Sequence, residues 1–323
     1  MTSKVPQIDF TPFLEGSEQG KRHVATQIGS ACRTIGFFTL VNHGVSQDLI
    51  DRVFSANREF HQLPLEEKEQ ILISRSEHHR GYHPFSAEAT DPNAKPDLKE
   101  AFDMALDLPP EDPDVQAGKP FHGPNVWPRN PAGFQDTLEE YYGALLHLGE
   151  LICRCFALDL GLEEGYFADK HSKPLAQLRL LHYPELDISA FPDQQGAGAH
   201  TDYGSVAILT QDSVGGLELR NRSGEWIPVE PVPGAFICNV GHIMEIWTNG
   251  LYPSTWHRVV NNGKDRYSQV LFYDPNFDCL VAPLDCCVSP ERPAAYVPIT
   301  MGRYLEETFD KTFVYRKSLE SAS

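Results

Sequence analysis

The sequence predicts an α+β protein that is mainly β: a double-stranded β-helix (jelly-roll) core braced by N-terminal, central and C-terminal helices. Three observations predict it. From about 175 to 280 the chain breaks into short apolar stretches, at 177–183, 206–210, 217–219, 235–239, 255–260 and 268–273. Turn pairs separate them at sandwich-like spacing: Gly215-Gly216, Ser223-Gly224, Pro233-Gly234, Asn249-Gly250 and Asn262-Gly263. Outside this region the apolar residues recur every three to four positions, as on amphipathic helices.

In chain order, 5–10 is a short extended opener. Residues 17–34 set Val24, Ile28, Ala31, Cys32 and Ile35 on one helical face, and Gly36 ends that helix. Phe37-Phe38-Thr39-Leu40-Val41 is a strand that closes at Asn42-His43-Gly44. Ser46 then stands where an N-cap is wanted, before the face made by Leu49, Ile50, Val53 and Phe54. A shorter helix over 63–68 has Pro64 near its first turn. Residues 74–131 are rich in His, Pro, Asp and Gly. They read as a functional covering loop with short elements, including a strand-like run at 101–106.

Leu138, Tyr142, Leu145, Leu148, Ile152 and Phe156 mark a long helix over 133–160, ended by Gly161. A last helix from about 300 carries Tyr304, Leu305 and Phe309. The expectation is one compact domain over 1–323. It comprises a mixed α/β region with covering loops (1–130), a central helix region (131–174), the jelly-roll core (175–285) and a C-terminal helical segment (286–323).

With 323 residues, 41% hydrophobic and 22% charged, the chain can bury an ample core and has an ordinary globular composition. A formal net charge of −18 argues against a nucleic-acid partner, which needs clustered Lys and Arg, and against docking on anionic lipid. The first six residues lack a signal peptide's apolar core, and no apolar run is long enough to span a bilayer. Seven cysteines (32, 153, 155, 238, 279, 286 and 287) include no C-x-x-C pair, and read as small buried hydrophobes in a reducing cytoplasm. No obligate protein partner is evident, so a small-molecule substrate is the expected ligand.

Thirteen histidines make any single one weak evidence for a metal site. His78 and His79 lie in a charged loop and read as solvated. His23, His61, His122, His147 and His171 lack spaced partners, and His43 reads as bonded locally to backbone. His182 should point opposite to Tyr183. His200 and Asp202 stand apart, because side chains two residues apart in an extended segment share a face. A second His from another β segment completes a 2-His-1-carboxylate set, which covers one face of an octahedral Fe(II) and leaves the other open. His242 and His257 compete for that place, and the strand-like run 256–260 favours His257. Arg266, nine residues on, with Ser268 beside it, can hold a carboxylate of something bound to the iron. Phe85, Phe102, Phe272 and Tyr273 are candidate pocket-lining residues or core.

Taken together these residues resemble a known family. Gly36-Phe37-Phe38-Thr39-Leu40-Val41-Asn42-His43-Gly44-Val45, Arg80-Gly81-Tyr82 and Asp97-Leu98-Lys99-Glu100-Ala101-Phe102-Asp103 are similar to signatures of the Fe(II)- and 2-oxoglutarate-dependent dioxygenases, in the isopenicillin N synthase-like subgroup. His200-Thr201-Asp202, His257 and Arg266-x-Ser268 match its H-x-D…H…R-x-S pattern. The resemblance covers nearly the whole chain. It implies Fe(II) held by His200, Asp202 and His257, and 2-oxoglutarate chelating the iron, with its far carboxylate on Arg266, Ser268 and Tyr183. With O2, the implied reaction is oxidative decarboxylation to succinate and CO2, coupled to oxidation of a small-molecule C–H bond. Plant members often carry Asn where this chain has Leu181. Alternatives are a synthase-like oxidase without 2-oxoglutarate, an ethylene-forming enzyme, and a non-catalytic metal-binding jelly roll.

Overall fold

The computed structural model describes residues 4–91 and 94–312. The strands are β1 (Gln7–Asp9), β2 (Phe37–Val41), β3 (Gly81–His83), β4 (Glu100–Ala105), β5 (Gln177–Tyr183), β6 (Ala197–His200), β7 (Val206–Gln211), β8 (Leu217–Arg220), β9 (Trp226–Pro228), β10 (Phe236–Val240), β11 (His257–Val259), β12 (Arg266–Tyr273), β13 (Leu280–Val281) and β14 (Ile299–Thr300). The helices are α1 (Thr11–Leu14), α2 (Glu18–Thr34), α3 (Gln47–His61), α4 (Leu65–Lys68), α5 (Pro113–Gln116), α6 (Phe134–Asp159), α7 (His242–Trp247) and α8 (Met301–Thr312).

One large sheet runs in the order β1-β2-β10-β7-β12-β5-β4-β3, and a smaller one in the order β6-β11-β8-β9. Within these two sheets only β1 and β2 pair in parallel. The large sheet is buried on both faces, and the two-residue period divides its side chains between them. On β5, Leu178 and Leu180 join a core shared with α2, α3 and α6, while Gln177, Arg179, Leu181 and Tyr183 face the smaller sheet. The same alternation on β12 sends Leu271 and Tyr273 to the helices, and Val270 and Phe272 to the space between the sheets.

Helix starts follow the sequence. Ser17 Oγ accepts from the Gly20 N–H and caps α2, and Ser46 Oγ accepts from the Leu49 N–H and caps α3. Pro64 occupies the N-cap position of α4, and Gly161, at φ +73°, follows α6 in the left-handed region. Phe60, Phe102, Leu138, Leu145 and Phe156 fill the helix-side core, each adding about 1.5–3 kcal/mol of burial.

Residues 74–131 cover the site, and the strand-like run expected at 101–106 is β4; with β3, which was not expected, it joins the large sheet, and all six residues of β4 are buried. Glu100 and Asp103 are buried there by pairing with basic side chains rather than exposed. Strands β6 and β9 also escape the apolar pattern, being only four and three residues long. The part of the expected C-terminal segment beyond 312 lies outside the described residues.

Candidate active site

The two sheets close around a cavity of about 120 Å³, and the expected metal-ligating residues meet at its wall. His200 ends β6 and His257 begins β11, and the two are direct partners in the antiparallel ladder. Asp202 lies two residues past the end of β6, so it belongs to the following loop and not to the strand itself. Its carboxylate nevertheless converges on both rings: Oδ1 is 3.7 Å from His200 Nε2 and 3.6 Å from His257 Nε2.

Each partner is held from behind. His200 Nδ1–H donates to the Gly198 carbonyl at 2.8 Å and His257 Nδ1–H to the Thr255 carbonyl at 3.0 Å, which leaves both Nε2 lone pairs facing Asp202 Oδ1. Asn239 Nδ2, on β10, donates to Asp202 Oδ2 at 2.6 Å. The Asp202 carbonyl accepts the His242 backbone N–H at 2.8 Å, so the start of α7 anchors this loop. Burial, and then the neighbouring His257, push the His200 pKa down to about 4, so its ring is neutral, as a ligand must be. Two imidazole nitrogens and one carboxylate oxygen, each oriented by a second hydrogen bond, fit a divalent iron with open positions.

The expected carboxylate clamp sits one strand pair away. Arg266 is opposite Tyr183, and Ser268 opposite Leu181, in the β12–β5 ladder. Arg266 is buried, with Nε donating to the Gly215 carbonyl (2.6 Å), Nη1 to Ser268 Oγ (3.1 Å) and Nη2 to Gln211 Oε1 (2.9 Å). Three of its five N–H donors are engaged, and two remain for an anion. Arg266 and Ser268 do not themselves border the cavity. Tyr183 does, and its ring stacks on the guanidinium at 4.6 Å. Leu181 lines the cavity wall between them and the triad.

Sequence reasoning missed much of the polar wall. Arg179 on β5 gives Nε and Nη2 to Asp103 at 2.8 Å each, and Nη1 to Glu88 at 3.1 Å. Lys99 donates to Thr90 and Asp97 at 2.9 Å each and lies 3.3 Å from Glu88. Burial raises the Glu88 carboxyl, but Arg179 and Lys99 outweigh it and hold Glu88 well below the usual range. Asp274, just past β12, is pushed up to about 7 by burial and then by the charge of Asp202. A signal existed for two of these. Asn239 is the one amide in an apolar strand, and Asp274 continues the two-residue period of Arg266, Ser268, Val270 and Phe272.

Other expectations sort clearly. His242 stands outside the triad, its Nδ1 bonded to the Tyr304 hydroxyl at 2.8 Å. His182 points away from the cavity, between Glu100 and Asp265, and His43 Nε2–H donates to the Gly234 carbonyl at 2.7 Å. His79 is not solvated. It is buried 4.0 Å from Asp103, because β3 draws its loop against the sheet. Of the four aromatics, Phe272 lines the cavity, Phe102 and Tyr273 lie in the helix-side core, and Phe85 is exposed.

Comparison with known proteins identifies the family. Residues 5–130 match the family model described as non-haem dioxygenase in morphine synthesis N-terminal, and residues 175–275 match the 2OG-Fe(II) oxygenase superfamily. A homoarginine-6-hydroxylase of Oryza sativa subsp. japonica is 36% identical, covering 96% of this chain and 98% of its own. A full-length Neurospora crassa protein, crystallised in complex with alpha-KG and thymine, superposes with a TM-score of 0.84 at 30% identity, over 94% of this chain and 96% of that one. JOX2 with 2OG, Fe and JA superposes with a TM-score of 0.78 at 32% identity, over 98% and 88%. This chain belongs to the 2OG-Fe(II) oxygenase superfamily, an enzyme family that works with Fe(II), 2-oxoglutarate and O2.

Proposed function

We propose that His200, Asp202 and His257 hold the Fe(II), and that Arg266, Ser268 and Tyr183 receive the far carboxylate of 2-oxoglutarate, in an enzyme that hydroxylates a small molecule. The convergence of three ligand atoms, each backed by a second hydrogen bond, carries the reading. Bound there, the iron supplies the O2 chemistry that converts 2-oxoglutarate to succinate and CO2 and oxidises a C–H bond.

The protein's share is positioning and exclusion of water. Asn239 keeps Asp202 turned toward the two histidines. Leu181, Leu217, Ile237, Val259 and Val270 give the cavity a dry floor, in which charge–charge contacts are strong. The Tyr183 ring covers Arg266 and must shift as the carboxylate arrives. A cation–π contact of about 0.5–2 kcal/mol is then exchanged for stronger charge-assisted hydrogen bonds.

Succinate formation by the purified protein should require both Fe(II) and 2-oxoglutarate. Arg266→Ala should raise the KM for 2-oxoglutarate about 100-fold, as loss of a buried charged partner does, with iron content unchanged. An unchanged KM would show that the clamp is misassigned. A cytoplasmic location is part of the proposal. All seven cysteines are free, and among the described residues no helix is long and apolar enough to cross a membrane. Cell fractionation tests it. The relatives differ in the charge of the molecules they are named or crystallised with, homoarginine being cationic and thymine neutral. The cavity of this chain has to choose between such chemistries.

A further inference from the structure

The face that β12 turns toward the smaller sheet has a basic residue at one end and an acidic one just past the other. Arg266 and Ser268 begin a face that continues through Val270 and Phe272 to Asp274. The triad projects onto this face near its far end. Asp202 is tied to Asn239, Asn239 is in register with Ala207, and Ala207 with Phe272. If 2-oxoglutarate fills the stretch from the triad to Arg266, as proposed above and as this inference assumes, the substrate takes the other stretch. There Asp274, Gln177, Leu305 and Phe309 border the cavity.

Asp274 has no basic partner there. Outside the triad, the other charged side chains on the cavity wall are paired, Arg179 with Glu88 and Asp103, and Lys99 with Glu88 and Asp97. In the adjoining hollow Lys173 is held by Asp112 and Asp114, and Arg80 donates to the carbonyls of His78, His79 and Phe121. Asp274 is left over. It is 5% exposed and borders the cavity, and its Oδ1 has no hydrogen-bond partner. A buried acceptor without a donor is costly, and a ligand can supply the donor. The carboxylate also packs against the loop that carries Asp202, because a Cβ on Gly204 would fall 1.4 Å from Asp274 Oδ1. A group bound to Asp274 therefore holds its neighbouring carbons beside the triad.

We infer that Asp274 receives the positive group of the substrate, and that this enzyme acts on a small organic cation, a guanidinium or ammonium compound. Gln177 and the ion-paired Glu88 stand on the same cavity wall as Asp274 and complete a polar surround. Asp274 is thus a specificity-determining residue for the oxidation step.

Calorimetric titration of the full chain loaded with Mn(II) and 2-oxoglutarate reads binding without turnover. The probes are L-homoarginine, L-arginine and L-lysine, each against a counterpart whose side chain is uncharged: L-homocitrulline, L-citrulline and L-norleucine. At least one cation should bind about tenfold or more tightly than its counterpart. Asp274→Asn should erase that preference and leave 2-oxoglutarate affinity unchanged, while Asp274→Glu should keep part of it. Absence of a charge preference in every pair overturns the inference, and needs no variant to fold. So does a preference that survives Asp274→Asn. Failure of 2-oxoglutarate to bind the Mn(II)-loaded protein overturns the reading of the site instead, which separates the two.

Discussion

His200, Asp202 and His257 form one set of two histidines and an aspartate; His79, His83 and Asp103 form another, and in each the ligand atoms lie within 4.8 Å of one another. The sets differ in what already occupies the carboxylate. Asp202 has one oxygen on Asn239 and the other facing the two imidazole nitrogens. Asp103 receives Arg179 on both oxygens, and Gln177 and His83 at 2.6 Å on one of them. Burial raises the Asp103 carboxyl, but the charge of Arg179 and the contacts from His83 outweigh it and hold the group well below the usual range. A metal ion there would meet a buried guanidinium. Composition and proximity are shared by the two sets, so the unengaged lone pairs decide which one can take a cation.

The sharpest way to break this comparison is a matched pair of variants. His257→Ala should lose bound iron and bring turnover to background, a fall of more than about 100-fold. His83→Ala should keep the iron stoichiometry of the parent, as measured by elemental analysis. Iron loss in His83→Ala, or two irons in the parent, would sink the distinction.

Next in size is Asp103→Asn, which leaves Arg179 buried beside a neutral partner. It should cost about 3–5 kcal/mol of stability in urea unfolding, with iron binding retained. A neutral effect would mean that the second set is not an ion-pair cluster. Asn239→Leu should weaken iron binding about 10- to 100-fold with little change in Tm, because it frees Asp202 to rotate. Unchanged affinity would show that Asp202 is held by other means.

A pH-dependent test concerns histidines outside both sets. Burial, the leading cause, pushes His61 down to about 3 and His171 to about 4. An unfolded histidine binds its proton near pH 6.5 and the folded ones refuse it. Stability is therefore full above about 6.5 and falls between 6.5 and 4, by about 1.4 kcal/mol per pH unit for each group. Glu100 is raised by burial, but hydrogen bonds led by that from His182 outweigh this and hold it down to about 2, so its contribution is lost as pH falls below 4.5. Urea midpoints at pH 7, 5.5 and 4.5 should decline, and His171→Phe should flatten the upper part of that decline. A flat profile in the parent would contradict the burial of these rings.

How far the sequence was legible varies with the kind of interaction. Strands β5, β7, β8, β10 and β12 and helices α2, α3 and α6 are marked by apolar period, Ser caps and Gly ends, all of them local signals. The same local logic finds His200, Asp202 and His257. Burial of β4 depends on ion pairs with residues far along the chain, such as Lys68 and Arg179, and no window of sequence shows it. His79 is misjudged for the same reason, since its loop looks solvated until β3 joins the sheet edge.

By itself, then, the sequence determined the jelly-roll class, the family, and which two histidines and aspartate converge and which arginine to propose as the clamp. These follow from side-chain periodicity and from spacing along one segment. Only the tertiary structure decided that Asp202 stands beyond its strand, that Tyr183 covers Arg266, and that Asp103 is neutralised while Asp274 Oδ1 is left without a donor. The reason is physical. Whether a buried carboxylate is satisfied depends on partners brought from distant segments, and that is settled when the sheets close, not by the order of residues along the chain.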